Sequence, residues 1–222
     1  MGQLKSPSVL IAICSCNADR HTHQAIRDTW LKGQGIPHVF FAGVGFKDPK
    51  DDELVMNAPD DYNHLYEKCR ELFKHGLLLG FDFIFLCYRD TYCNLSRLLD
   101  GQLLAHDYAG HRTCGGEQAH LVPIEFDGKG LAEYASGGAG IWLSAKAMHA
   151  ILQSNFTAFP HWADDLGYGT ILAYAGIPLF HDPRFQKHGR HLFQGSATTH
   201  LSQGTGNYSE EWMYACHRNS FL

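Results

Sequence analysis

Residues 81–90 read FDFIFLCYRD, an aromatic and aliphatic run broken only by Asp82 and closed by the polar group Tyr88, Arg89 and Asp90. A run this short, rich in residues that pack well on a pleated surface, predicts a buried strand. Immediately before it, over residues 62–79, Leu65, Cys69, Leu72 and Phe73 recur at helical spacing, which predicts an amphipathic helix ending near Gly76 or Gly80. Further upstream, SVLIAI (8–13) reads as a strand buried on both faces, 22–30 as a helix, HVFFA (38–42) as a second strand and 54–56 as a short third. Strands that alternate with helices give an α/β fold. Downstream, 141–143 resumes the apolar pattern, and helices are expected at 145–153 and 165–175. The polar stretch 110–118, with Gly110, Gly115 and Gly116, and the loop-like 128–140 mark a change of role within one domain, residues 1–222. From His181 onward the chain is rich in His, Gly, Gln and Ser, a tail that reads as an ordered binding loop or a partly mobile one.

Composition narrows the function. With 222 residues, 45% hydrophobic and 18% charged, the chain can bury enough apolar surface to form one globular core. A formal charge of −5 gives no basic field to concentrate a polyanion, so no nucleic acid partner is expected. No stretch approaches the length of a membrane helix, so no integral membrane segment is expected and the chain reads as cytoplasmic. The Asn-x-Ser/Thr matches at Asn94, Asn155 and Asn207 then carry no weight. Seven cysteines, an odd number set mostly in apolar segments, do not predict a disulfide framework. Cys14-x-Cys16 has neither zinc-knuckle nor thioredoxin-like spacing.

In α/β sheets ligands bind beyond the carboxyl ends of the strands, so the residues just after each strand are the candidates. These are Ser15, Cys16 and Asn17; Tyr88, Arg89 and Asp90; the run Ser136-Gly137-Gly138-Ala139-Gly140; and Asp164-Asp165 at the start of a helix. The glycine run lacks the preceding strand and following helix of a dinucleotide fingerprint. It is either a tight turn or a place where backbone passes close to a ligand. Two carboxylates at a helix N-terminus are favoured by the dipole whether or not they do chemistry.

Taken in order, these pieces resemble family-31 glycosyltransferases, the β1,3-galactosyltransferase and Fringe group. Ala25-Ile26-Arg27-Asp28-Thr29-Trp30 is similar to the family's Ala-Ile-Arg-x-Thr-Trp, and Asp60-x-Tyr62-x-His64-Leu65-x-x-Lys68 to its Asp-x-Tyr-x-Asn-Leu-x-x-Lys, with His64 for Asn. Residues 81–95 resemble the strand that ends in Asp-x-Asp. Tyr134-Ala135-Ser136-Gly137-Gly138-Ala139-Gly140 resembles Tyr-x-Ser-Gly-x-Gly-Tyr, and Asp164-Asp165-Leu166-x-x-Gly169 resembles Glu/Asp-Asp-Val-x-x-Gly. The resemblance implies a GT-A fold, a single Rossmann-like α/β domain with a mixed central sheet, and inverting transfer of galactose or N-acetylglucosamine from a UDP-sugar to a glycan or glycolipid-precursor acceptor. Asp165 matches the catalytic aspartate. Ser15, Cys16, Asn17, Arg89, Asp90, Gly137 and Gly138 are donor-binding positions, and Asp90 and His200 the Mn²⁺ positions. Animal members carry an anchor and stem, so this chain reads as a bacterial or viral catalytic core.

Two departures from the family pattern matter. The metal triplet is Tyr88-Arg89-Asp90, with a cation at its middle position. Asp90 and His200 then bind the metal, or Arg89 itself faces the diphosphate, or Arg89 pairs with Asp90 structurally. Before Arg27 the family's basic residues are replaced by Thr22 and His23, which makes Arg27 and Trp30 fold residues in this chain; Leu65 reads as core and Lys68 is compatible with a solvated position. Two other readings compete: a non-catalytic sugar or nucleotide-sugar binding protein on the same fold, and a metal hydrolase using His181, His188, His191 and His200, whose spacing matches no helical ligand pair.

Overall fold

A computed structural model describes residues 6–113, 133–155, 161–189, 194–202 and 208–219. Cys114, Gly115, Gly116, Gly128, His191 and Asn207 lie outside the described residues. In chain order come β1 (Val9–Cys14), α1 (His23–Asp28), β2 (His38–Ala42), β3 (Glu53–Val55), α2 (Leu65–Leu78) and β4 (Phe83–Tyr88). There follow β5 (Thr91–Cys93), α3 (Leu95–Leu98), β6 (Tyr108–Gly110), β7 (Arg112–Thr113), β8 (Tyr134–Ala135), β9 (Ile141–Ser144) and α4 (Ala145–Gln153). The last elements are α5 (Asp164–Tyr174), β10 (Phe180–His181), β11 (Phe185–Gln186), β12 (Thr198–His200) and α6 (Glu210–Asn219).

The central sheet has seven strands in the order β10-β6-β9-β4-β1-β2-β3. β4, β1, β2 and β3 run parallel, whereas β9 is antiparallel to both β4 and β6. That reversal positions the site. Because β9 opposes β4, the glycine turn before β9 lies at the same sheet edge as the carboxyl ends of β4 and β1. β5 pairs with β12 in a separate small sheet, and β7 with β8 in another.

Alternation along the strands sorts side chains to two faces. Leu10, Ala12 and Cys14 of β1 and Ile84 and Leu86 of β4 pack with α2, α4 and α5. Ile11, Ile13, Phe85 and Cys87 point the other way, into a cluster with Ile26 of α1 and Met213 and Cys216 of α6. The result is a sheet covered on both faces, as a parallel sheet requires. On α2 all of Leu65, Cys69, Leu72 and Phe73 are buried, so the helical stripe has found its core. Gly76 falls inside that helix, where any Cβ would press on Ile84 at 2.7 Å, and the helix instead ends before Gly80 in the left-handed region.

Several expected boundaries shift. The helix expected over 22–30 is the short α1, entered through a 3-10 turn at Asn17–Thr22. Residues 62–64 are likewise a 3-10 turn ahead of α2. The tail beyond His181 contains strands β11 and β12 and the helix α6, so its described part is ordered structure.

Gly140 shows how tightly the turn before β9 is drawn against the sheet. Its φ is +93°, and a Cβ there would collide with the Phe85 ring. Gly140→Ala is expected to destabilise the fold by at least ~2 kcal/mol, from left-handed strain plus overpacking. Gly33→Ala, also left-handed (φ +71°) but in open space, should cost clearly less. Equal melting temperatures for the two variants would contradict this packing account.

Candidate active site

Across the carboxyl edge of the sheet lies a cleft of about 480 Å³. The order of strands sets the order of its parts. Ser15 and Cys16 follow β1, then Arg89 and Asp90 follow β4, and Gly137 and Gly138 precede β9. Cys14 lies opposite Tyr88 in the β1–β4 register, so the first two groups are next to each other. The volume is in the range of a small-molecule site.

The acidic pair opens α5 as its first two residues, where the helix dipole favours negative charge. Their environments differ. Asp164 is 2% exposed, and the Tyr88 hydroxyl donates to both of its carboxyl oxygens at 2.8 Å. Burial, reinforced by the charge of Asp165, pushes the Asp164 carboxyl up to about 7. Asp165 is half-buried and faces the cleft; its Oδ2 accepts the Gly137 N–H at 3.0 Å and its Oδ1 the Leu166 N–H at 2.8 Å. Burial raises Asp165 as well, but these amide donors oppose the shift. Burial thus favours a proton on Asp164, whereas the two amide donors favour charge on Asp165, a contrast of environments that can separate neighbouring carboxyls into acid and base roles.

Asp90 and His200 face each other on β4's end and β12, with His200 Nε2 at 3.1 Å from Asp90 Oδ2. The Ser202 hydroxyl lies 2.7 Å from the same nitrogen. Burial alone would raise Asp90 and lower His200, yet their mutual contact outweighs it, so the carboxyl is held below and the imidazole above its ordinary value. One carboxylate and one imidazole are suitable donors for a divalent cation. Among the described residues no cluster of three such side chains occurs, so the pair fits a metal only when ligand oxygens complete the coordination. Arg89 does not pair with Asp90. Its Nε contacts Asp19 at 2.9 Å and its guanidinium lies over the Tyr208 ring, which turns the charge toward the loop after β1.

That loop is pinned from beneath. Asp60 accepts the backbone N–H of Asn17 at 2.6 Å and of Gly43 at 2.7 Å, tying together the loops that follow β1 and β2. Lys68 is 1% exposed, not solvated, and its Nζ donates to the Ser15 carbonyl at 3.1 Å. The Ser15 hydroxyl lies 2.6 Å from His23 Nε2, and His23 Nδ1 lies 2.9 Å from Glu53 Oε1. Arg27 bonds Asp52 through two nitrogens and reaches Glu53 at 2.8 Å, so it serves the fold and this network and not the cleft.

Of the residues singled out in the sequence, Ser15, Cys16, Arg89, Asp90, Gly137, Gly138, Asp165 and His200 line the one cleft. Asn17 does not: its backbone is taken by Asp60 and its side chain is exposed. His181 lies on the edge strand β10, where its Nδ1 accepts the Arg112 N–H. The glycines have a packing reason. A Cβ on Gly137 would meet the Tyr88 ring at 2.7 Å, and one on Gly138 the His200 ring at 2.5 Å. Tyr88 and Asp164, also candidates from the sequence, line the cleft too, together with the stacked pair Tyr62 and Trp162, of which Trp162 belongs to no motif.

No protein-family model and no curated protein sequence matches the chain. Solved structures do. The fold is similar to that of a glycosyltransferase involved in the glycosylation of the major capsid of PBCV-1, with a TM-score of 0.54 at 8% identity over 96% of this chain and 100% of that one. Weaker likenesses are to the catalytic domain of Drosophila β1,4-galactosyltransferase 7 (TM-score 0.47, 11% identity, 95% of this chain and 80% of that one) and to the inositol-1-phosphate CTP transferase of T. maritima (TM-score 0.47, 10% identity, 97% and 98%). The first of these likenesses gives the chain a GT-A-like fold and does not single out family 31. Among the described residues no helix is long and apolar enough to cross a membrane.

The elevated Asp164 has a consequence for stability. Its ordinary value is near 3.8 and its native value about 7, so between these the folded chain holds a proton that the unfolded chain has released. Its contribution therefore falls as pH rises through that window, by up to ~1.4 kcal/mol per pH unit, and levels off above it. Asp164→Asn is expected to remove this slope and to be more stable than wild type at pH 8. Urea denaturation at several pH values checks this, and parallel profiles for the two proteins would contradict it.

Proposed function

We propose that the chain is an inverting glycosyltransferase that moves galactose or N-acetylglucosamine from a UDP-sugar to a hydroxyl of a glycan acceptor, forming a β linkage. The observation that carries this reading is Asp165: a carboxyl that lines the cleft and accepts the Gly137 and Leu166 amides, with Asp164 buried behind it. A base of this kind accepts the acceptor hydroxyl's proton as that oxygen attacks the anomeric carbon from the face opposite the diphosphate. The nucleoside would lie over Ser15, the diphosphate over Asp90 and the sugar toward Gly138 and Asp165, following the order of strand ends along the edge. Tyr62, 65% exposed and stacked on Trp162, offers the acceptor a flat apolar surface.

Asp90 and His200 would hold Mn²⁺ together with diphosphate oxygens. When bound, the ion would supply charge stabilisation to the departing diphosphate. Arg89, occupied by Asp19, would add positive field from the side of the β1 loop.

Transfer of a labelled sugar from a UDP-donor to acceptor mixtures tests the reading. Asp165→Asn is expected to lower transfer by ~10²–10⁴-fold while donor binding stays nearly intact. Unchanged turnover in that variant would remove Asp165 from the mechanism, and donor binding without transfer by the wild type would favour a nucleotide-sugar binding protein. In calorimetry, Mn²⁺ should tighten UDP binding over EDTA by about tenfold or more, and Asp90→Asn should abolish that gain. EDTA-insensitive binding that collapses in Arg89→Ala would instead assign the metal's electrostatic role to arginine.

A further inference from the structure

Behind the cleft, three side chains from three elements form one hydrogen-bonded line: Ser15 after β1, His23 on α1 and Glu53 on β3. All three residues are at most 5% exposed, and Ser15 alone touches the cleft. We propose that His23 and Glu53 lock the Ser15 hydroxyl as a hydrogen-bond acceptor toward the cleft, so that the site selects a nucleobase whose ring nitrogen carries a hydrogen, uracil or guanine, over cytosine or adenine. The inference rests on the placement of the nucleoside at Ser15 given above.

The polarity of the line follows from its far end. Glu53 Oε1 takes Arg27 at 2.8 Å, and Oε2 takes Arg20 at 2.7 Å and the Lys50 N–H at 3.0 Å. Burial works against ionisation here, but the Lys50 amide, Arg27, Arg20 and His23 outweigh it and hold the carboxyl below its ordinary range. An ionised carboxylate only accepts, so His23 Nδ1, 2.9 Å away, must carry the hydrogen. The ring itself stays neutral: it is fully buried, stacked on Phe40 at 4.2 Å, and burial lowers its affinity for a second proton. Nε2 is then an acceptor, and the Ser15 hydroxyl at 2.6 Å must donate to it. A hydroxyl has one hydrogen, and this one is spent. Ser15 can offer the cleft only lone pairs, and the Cys16 carbonyl at 3.4 Å cannot compete for a proton already held at 2.6 Å.

Uracil N3 and guanine N1 carry hydrogens at neutral pH and match a fixed acceptor. With the ring nitrogen set against Ser15, cytosine N3 and adenine N1 bring a lone pair to its lone pairs, and their amino groups reach the hydroxyl only if the base shifts in the cleft; a buried mismatch of this kind discriminates more strongly than a matched bond binds. A serine, histidine and glutamate in line also resemble the relay of a hydrolase. Here that chemistry is disfavoured, because a general base must become imidazolium and Glu53 is already neutralised by two arginines.

Calorimetry with UDP, GDP, CDP and ADP on the full chain tests the proposal. Wild type should bind UDP or GDP about tenfold or more tighter than CDP and ADP, and the UDP and GDP arms decide between the two bases. Ser15→Ala should lower the preferred nucleotide to the level of CDP. His23→Leu frees the hydroxyl to turn and donate, so in that variant CDP affinity should rise; Ser15→Ala keeps the test intact if the buried substitution impairs folding. Equal affinity for all four nucleotides in wild type would overturn the inference and leave the proposed function standing. Binding of none of them would overturn both. Covalent labelling of Ser15 by a fluorophosphonate would show a nucleophile in place of a fixed acceptor and would also overturn it.

Discussion

The Tyr88 hydroxyl, shared between the two oxygens of Asp164, joins the end of β4 to the start of α5 and holds the site in register. Two adjacent carboxylates buried at a helix N-terminus would repel each other if both were ionised. The Tyr88 hydroxyl settles Asp164 in the core, while Asp165 turns onto the Gly137 amide at the cleft. The same tyrosine ring occupies the space a side chain at residue 137 would need, so the glycine and the tyrosine require each other. One turn further, the His200 ring excludes a side chain at Gly138 and thereby stands against Asp90. Removing any of these contacts would loosen the others, because interactions that share partners do not act independently.

On the β1 side the constraint is electrostatic. Asp60, Lys68 and Glu53 are all largely removed from water, and isolated charges there would be strongly destabilising. Each is met by two or more partners: backbone amides for Asp60, the Ser15 carbonyl and the Asp60 carboxylate for Lys68, two arginines, an amide and a histidine for Glu53. Such a network fixes the loop after β1 more firmly than apolar packing would, since carbonyl and amide directions are specified along with distance. Arg27, Asp60 and Lys68 therefore act on the cleft through the loop they hold, while Tyr62 lines it directly and Trp30 lies in the core.

Much of the frame was legible because it is periodic. Residues 8–13, 38–42 and 81–87 read as strands and 65–73 as a helix face, since burial on two faces or on one stripe leaves a mark in the order of apolar residues. Short elements left none: β5, β6, β10 and β11 are two or three residues long and owe their existence to strand partners far away in sequence. Helix α6 was hidden in a polar tail because only Met213 and Cys216 of it are buried. At the site, polar residues following strands converge on one cleft, yet the placement of Arg89 against Asp19 could not be read, because it joins residues seventy positions apart. Asn17 lies outside that cleft, its backbone N–H held by Asp60, a contact across 43 positions that no local pattern records.

The central claim is that a nucleotide-sugar lies along the carboxyl edge of the sheet in the order of its strands, β1, β4, β9. A crystal structure with UDP and Mn²⁺ tests it most directly. The account predicts the base against Ser15, the diphosphate beside Asp90 and His200, and the terminal phosphate directed toward Gly138 and Asp165. A nucleotide bound in the reverse sense, with its base at Gly138 and its phosphates at Ser15, or bound outside this cleft, would contradict it.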